Sequence, residues 1–251
     1  FVINVDPRDG AVNQLVITEP TVKTFTAGGA VSMDGLSVTV KYKKEYNQDD
    51  ETVAFADFAS KEVKLFDAAG NDVTANLNKL AEIVKVGDTT VPVKVKYENG
   101  EASFNITVSN PVQSLTLNTD EVKKAYKFGE TVSLDGLVVT ANLTYGSVTV
   151  EDATVSDISN LTASLGEKTV TVSYAGKSAS FDINVTDYVV LLTANQTSFS
   201  CDVLTETVTF DGLVLTATYA SGATKDVTAS ATNDASAATP GAKEVTFTYA
   251  E

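Results

Sequence analysis

The sequence has no histidine and no tryptophan, and only one cysteine, one methionine and five prolines in 251 residues. Without histidine the commonest general base is missing, and with it the usual hydrolase triads and most transition-metal sites. Cys201 has no imidazole partner, and a lone thiol excludes an intramolecular disulfide framework or a cysteine-rich metal cluster, so a small buried thiol is expected. The absence of tryptophan removes the usual stacking platform for sugars, which Tyr and Phe replace only in part. Basic residues are scarce: 18 Lys and Arg stand against 33 Asp and Glu, and the net charge of −15 disfavours nucleic acid and anionic membrane surfaces. No apolar run approaches the ~20 residues of a membrane-spanning helix, so no membrane insertion is expected of this segment. Carboxylates are plentiful, but a glycosidase needs two of them held across a cleft, which filled β-cores do not offer. Gly28-Gly29 lacks the strand-to-helix setting of a phosphate loop. These absences argue against an enzyme.

What the sequence does contain is repetition. "VSMDGLSVTVKY" at 31–42 returns as "VSLDGLVVTANLTYG" at 132–146 and "VTFDGLVLTATYASG" at 208–222. A closing block, "KVKYENGEASFNITV" at 94–108, returns as "TVSYAGKSASFDINV" at 171–185 and opens again as "TFTYAE" at 246–251, while the chain starts with "FVINV". The repeats divide the chain into a closing strand at 1–5, a full repeat at 6–109 with an insertion at 43–69, a second at 110–186 and a third at 187–251 that lacks its last strand.

Within each opening block apolar residues alternate: Leu36, Val38, Val40 and Tyr42; Leu137, Val139, Ala141 and Leu143; Leu213, Leu215, Ala217 and Tyr219. A period of two with one apolar side marks an antiparallel strand buried on one face, and Val, Thr, Tyr and Phe favour that state. Many short strands with Gly- and Asn-containing turns, and no sustained helical period, predict an all-β protein of tandem β-sandwiches. "LNKLAEIVKVG" at 77–87 is the one helix-like stretch, read as a single turn on a crossover or as a strand.

Across each Asp-Gly the apolar phase slips by one residue, as at a kink, bulge or crossing between sheets, with Asp34, Asp135 and Asp211 expected to bond nearby backbone amides. The alternative is a repeated carboxylate ligand, but an isolated carboxylate holds a metal poorly. Asp6 and Asp9, in "DPRDG", are the candidates for a Ca²⁺ clamp at a domain junction, against the plainer reading of an acidic turn. No other cofactor is expected. Sequons at Asn105, Asn142, Asn160 and Asn195 are common by chance in Thr-rich strands.

These blocks resemble the bacterial immunoglobulin-like domains that occur in tandem in surface proteins, in the group with Asp-Gly-Leu in an early strand. "VSLDGLVVT" followed by "VSYAGKSASFDINV" carries the resemblance. It implies tandem immunoglobulin-like β-sandwiches on an extracellular, microbial cell surface, serving as spacers, surface-layer (lattice) units, adhesin stalks or accessory modules of secreted enzymes. The low cysteine content agrees with a bacterial or archaeal surface. The resemblance carries over no catalytic residue.

The first full repeat departs from the pattern: Asp34 to Tyr97 spans 63 residues, against 39 from Asp135 to Tyr174 and 38 from Asp211 to Tyr249. The insertion is read as an extra hairpin lengthening one sheet, or as a contact surface for a neighbouring subunit, glycan or protein through Tyr46, Phe55 and Phe58. The third repeat, lacking the equivalents of Phe181, Ile183 and Val185 at about 1.5–3 kcal/mol each, is not expected to stand alone. Two explanations remain open: the chain is an excerpt of a longer array, or Phe1, Ile3 and Val5 of one copy complete the third repeat of the next and build a filament.

Overall fold

The computed structural model describes residues 12–200, 208–235 and 241–250. Phe1, Ile3, Val5, Asp6, Asp9 and Cys201 lie outside the described residues.

Among the described residues the opening and closing blocks contain the strands expected of them. The first repeat holds β1 (Val12–Thr18), β2 (Thr24–Thr26), β3 (Ser37–Tyr42), β4 (Glu51–Ala54), β5 (Lys64–Phe66), β6 (Gly87–Tyr97) and β7 (Gly100–Asn110). The second holds β8 (Val112–Asn118), β9 (Ala125–Lys127), β10 (Val138–Leu143), β11 (Ser147–Val150), β12 (Thr154–Val155), β13 (Gly166–Tyr174) and β14 (Lys177–Thr186). The third holds β15 (Val189–Ala194), β16 (Leu215–Tyr219), β17 (Thr224–Asp226), β18 (Thr232–Asn233) and β19 (Phe247–Thr248). Helical structure among the described residues is confined to short 3₁₀ turns. The helix-like stretch is one of these, Leu77–Ala81, which buries Leu80 and Ala81.

The chain divides into two compact units, Phe1–Leu117 with Val138–Ala153 and Ser173–Ala179, and Asn118–Leu137 with Thr154–Val172 and Ser180–Glu251. In the first unit, sheets β1-β3-β4 and β2-β7-β6-β5 enclose one core. Val38 and Val40 of β3 meet Val93 and Val95 of β6 and Ile106 and Val108 of β7 in it, none more than 1% exposed. The sheet β8-β10-β11 has its own cluster of Val112, Ala141 and Leu143. In the second unit Tyr126, Val132, Val170 and Ile183 form one core, and Leu213, Leu215, Ala217, Tyr219 and Val227 another. The alternation in the sequence is thus the burial pattern of the fold, an all-β arrangement of immunoglobulin-like sandwiches.

The Asp-Gly pairs sit in turns ahead of their strands, and in the first repeat that turn lies where the chain crosses between sheets, from β2 in one to β3 in the other, one of the forms expected of the phase slip. Leu36, Leu137 and Leu213 each donate an amide hydrogen bond to the residue three before, at 2.9, 3.0 and 3.1 Å, with Gly35, Gly136 and Gly212 at φ of 84°, 84° and 78°. Only glycine takes that backbone without strain, which explains why the dipeptide recurs. The expected role of the carboxylates is corrected, because the side-chain partner at two of these turns is a serine: the amides of Asp34 and Asp135 donate to Ser32 and Ser133 Oγ, each at 3.1 Å.

The insertion is also corrected: it is not a hairpin on one sheet. β4 pairs with β3, and β5 pairs with β6 in the opposite sheet, so the segment crosses between sheets and supplies an edge strand to each. The second repeat has the same two edges in β11 and β12. The added length lies in the connections, 43–50 against 144–146, 55–63 against 151–153, and 67–86 against 156–165.

Candidate functional site

For a tandem array the places that decide mechanical behaviour are the linkers, and both linkers described here are built alike. The closing strand of the first repeat ends at Asn110, which is fully buried. Its carboxamide donates from Nδ2 to the Ile83 carbonyl at 2.8 Å and the Tyr145 carbonyl at 2.9 Å, and its Oδ1 accepts the Tyr145 amide at 2.9 Å. Both amide hydrogens and the oxygen are in use, so burial leaves nothing unpaired. Ile83 belongs to the first repeat and Tyr145 to the hairpin turn between β10 and β11 of the second. One side chain therefore ties the end of one sandwich to the start of the next.

Neighbouring contacts deepen this clamp. The Thr144 amide donates to the Pro111 carbonyl at 3.2 Å, and Gln113 Nε2 to Thr144 Oγ1 at 2.8 Å. The Tyr145 ring packs against the core of the first repeat. It lies over Gly28, where a β-carbon would stand 2.3 Å from Cδ2 of the ring. Gly146 in turn lies against Val84, at 2.9 Å from such an atom to Cγ1.

At the second linker Asp187 replaces Asn110. Its Oδ1 accepts the Ser221 amide at 3.2 Å and the Tyr188 amide at 3.0 Å, and the Ser221 hydroxyl donates to Oδ2. Ala220 donates its amide to the Tyr188 carbonyl at 3.0 Å, as Thr144 does to Pro111. Desolvation works to raise the Asp187 pKa, but the hydrogen bonds from Ser221 and Tyr188 prevail and hold it below the usual carboxylate range. The two linkers differ at the ring. Ser221 stands where Tyr145 stands, and a β-carbon on Gly129, the counterpart of Gly28, would meet no atom of the described residues within 4 Å. The open space belongs to a depression lined by Lys123, Lys127, Phe128, Gly129, Thr186 and Tyr188, among others. There Lys127 Nζ lies 5.2 Å from the centre of the Tyr188 ring, and Lys123 pairs with Glu130.

Of the residues singled out in the insertion, Tyr46 is half-buried at the end of a 3₁₀ turn, Lys44–Tyr46, in the loop 43–50. Phe58 is 1% exposed, and Phe55 packs edge-on against it at 5.4 Å. Phe58 is therefore core rather than contact surface. The structure does not bring Tyr46 together with this aromatic pair in any ring contact among the described residues. No group of three or more metal-ligating side chains is found among them either. The sequence placed the repeat boundaries at 109/110 and 186/187 but did not reveal the side chains that act there. The available signal was an Asn or Asp ending each closing strand, followed 35 and 34 residues later by the turn residue it binds.

Comparison with known proteins follows this geometry. The fold is that of tandem immunoglobulin-like sandwiches, and residues 119–185 match the family model described as bacterial Ig-like domain (group 3). No curated protein matches the chain. Among solved structures, domains 4–9 of the surface layer protein SbsC are 18% identical, over 92% of this chain and 40% of that one, with a TM-score of 0.27. SbsC domains 4 and 5 are 19% identical over 70% of this chain and 98% of that one, with a TM-score of 0.26. The chain thus spans less than half of the first of these structures. A likeness at these TM-scores carries no structural or functional argument.

Proposed function

We propose that this chain is a non-enzymatic structural segment of an extracellular, microbial cell-surface protein, in which immunoglobulin-like repeats act as a spacer or lattice unit. The observation that carries the reading is the repeated clamp: Asn110 on Tyr145 and Asp187 on Ser221 hold successive repeats through the same backbone positions. A binding module has no need to fix its linkers, whereas a spacer transmits position only if they are fixed. The bacterial Ig-like match at 119–185 and the absence of histidine support the same reading.

The test is a distance measurement by pulsed electron paramagnetic resonance between spin labels at Thr52→Cys in β4 and Thr149→Cys in β11, with Cys201→Ser. A narrow distance distribution that broadens in Asn110→Ala supports the spacer. A broad distribution in the otherwise unaltered protein overturns it.

Assembly by strand donation is a second reading, favoured by the closing strands. β7 and β14 both carry Phe-x-Ile-x-Val, at 104–108 and 181–185, and pair in parallel with β2 and β9. Residues 1–5 repeat that pattern. Light scattering on residues 1–251 beside 6–251 decides it: oligomers of the longer chain alone support donation, and identical behaviour overturns it.

A further inference from the structure

The three strands that open the repeats share one burial pattern, and the third differs in what it turns outward. β1 and β15 each bulge near their start, between Val12 and Gln14 and between Val189 and Leu191. The bulge leaves two consecutive side chains exposed between two that pack on the core: Asn13 and Gln14 between Val12 and Leu15, Val190 and Leu191 between Val189 and Leu192. In β8 Gln113 and Ser114 stand exposed between Val112 and Leu115 in the same way. Amides and a hydroxyl thus fill the outward pair in the first two repeats, whereas the third fills it with Val190 and Leu191, each 54% exposed. A closing strand does not cover these positions, because the first and second repeats contain theirs, β7 and β14, and the outward pair stays exposed in both. We propose that the outer face of the sheet β15-β16-β17 is a self-association surface: a second copy packs the same face on it about a two-fold axis, with Val190 and Leu191 at the centre.

The charge pattern commits this face to a copy of the same chain. A two-fold contact sets each residue near its own counterpart, so every charge inside it meets its like. Two copies carrying −15 each therefore approach best where the surface has no charge. Residues 188–200 and 212–224, which include β15 and β16, contain no Asp, Glu, Lys or Arg. On the outer face Leu191 stands opposite Thr218 and Thr193 opposite Thr216. The charged residues of the sheet are Lys225 and Asp226, adjacent and of opposite sign on its far strand β17. Asp187, just before β15, is taken up by Ser221 and Tyr188, and Lys127 Nζ lies over the Tyr188 ring. An oppositely charged partner would find little to pair with here, while a copy of the chain finds little to repel it.

The equivalent faces of the other repeats are unsuited to this. In the first, Lys41 stands opposite Gln14 and pairs with Asp50. In the second, Asn142 Nδ2 donates to Ser114 Oγ at 3.1 Å and to Thr116 Oγ1 at 2.8 Å, so the face is polar and its groups already serve one another. A face of three short strands is small against the ~800 Å² that each partner buries in a standard interface. The contact is accordingly weak, and it gains strength where many copies engage at once. It deepens the lattice-unit reading, on which it rests, by naming the surface, and it makes no use of residues 1–5.

Sedimentation velocity on the full chain in reducing buffer, over a range of concentrations at low and high salt, tests this. The expected result is a monomer–dimer equilibrium that strengthens with salt, because screening removes the repulsion between like-charged copies. It falls about tenfold or more in the double variant Val190→Asn, Leu191→Gln, which installs the pair that the first repeat carries at these positions. Leu191→Gln alone replaces it if the double variant alters the circular dichroism spectrum. Val16→Asn, at an exposed position of β1, leaves the dimer unchanged. A chain that stays monomeric at every concentration, association that weakens with salt, or association indifferent to both variants overturns the proposal. So does a monomer that binds phosphatidylcholine vesicles through Val190 and Leu191, or growth beyond the dimer that the double variant abolishes. Loss of association on removing residues 1–5, with the double variant silent, favours strand donation and sinks this contact. The spin-label distances that test the spacer are read within one copy, so a narrow distribution in a chain that stays monomeric removes this contact and leaves that reading standing.

Discussion

Asn110 and Tyr145 exchange two hydrogen bonds, the tyrosine amide to Oδ1 and Nδ2 to the tyrosine carbonyl, both at 2.9 Å. The pair is a side chain mimicking a strand partner for a turn residue of the next repeat. Removing it in Asn110→Ala leaves the Tyr145 amide and two carbonyls unpaired in a buried site. The expected loss is about 1–3 kcal/mol of stability, read by urea denaturation. Asn110→Asp is expected to be worse, because the carboxylate cannot donate to Ile83 and Tyr145.

The two glycines at the linkers should respond differently to the same change. Gly28 and Gly129 have φ of 70° and 76°, so Gly→Ala strains the backbone at both by about 1–2 kcal/mol. At Gly28 the new methyl also collides with the Tyr145 ring, whereas at Gly129 it meets open space. A double-mutant cycle of Gly28→Ala with Tyr145→Ala is expected to show coupling of about 0.5–3 kcal/mol, and Gly129→Ala with Ser221→Ala almost none.

Acid should weaken the fold through a small local device. Asp72 accepts the Thr74 hydroxyl at 2.7 Å and amide at 3.0 Å, while Thr74 Oγ1 accepts the Leu65 amide. Asp226, Thr228 and Leu215 repeat the arrangement. In each the threonine hydroxyl is the main cause that holds the carboxyl below its ordinary value. A carboxyl depressed in the folded state contributes stability above its unfolded pKa of about 3.9, and that contribution is lost as pH falls through the folded value. Thermal melts are expected to be level near neutrality and to drop below about pH 4. Asp72→Asn and Asp226→Asn should each flatten that drop.

The insertion should divide into a core part and a surface part. Phe58→Ala, which empties a 1%-exposed site, is expected to cost about 3–5 kcal/mol. Tyr46→Ala, in an exposed loop, should change stability by about 0.5 kcal/mol or less. Chemical denaturation of the two variants measures both.

The fold was legible because strand burial has a period of two. Val38, Val40, Val139, Ala141, Leu215 and Ala217 announce their faces without help from the rest of the chain. The Asp-Gly turns were legible in kind: the phase slip is real and in the first repeat marks a crossing between sheets, but a kink or a bulge inside a strand would shift the phase equally, so the sequence left the three open. Nor does composition show whether Ser32 or Asp34 supplies the side-chain bond. The insertion was misread because its length was taken as one block, whereas it is spread over three connections whose ends sit on opposite sheets. The clamp was hidden for a different reason. Asn110 and Tyr145 look like ordinary linker and turn residues, and only the closing of the chain on itself brings them within 3 Å.

The parallel pairing of β2 with the end of β7 has a consequence for load. Once a pull on the two ends of the first repeat passes β1 and reaches β2, it draws β2 back toward its start and β7 forward toward its end. The pairs Thr24 with Thr107, Phe25 with Val108 and Thr26 with Ser109 then slide against one another rather than peel apart. Bonds strained in shear share the force and fail together, so rupture waits on one high barrier in place of several low ones. β9 and β14 place Ala125, Tyr126 and Lys127 beside Asn184, Val185 and Thr186 in the same sense. Each of these short ribbons is a latch across its repeat, closed beside a linker that side-chain and backbone hydrogen bonds already hold.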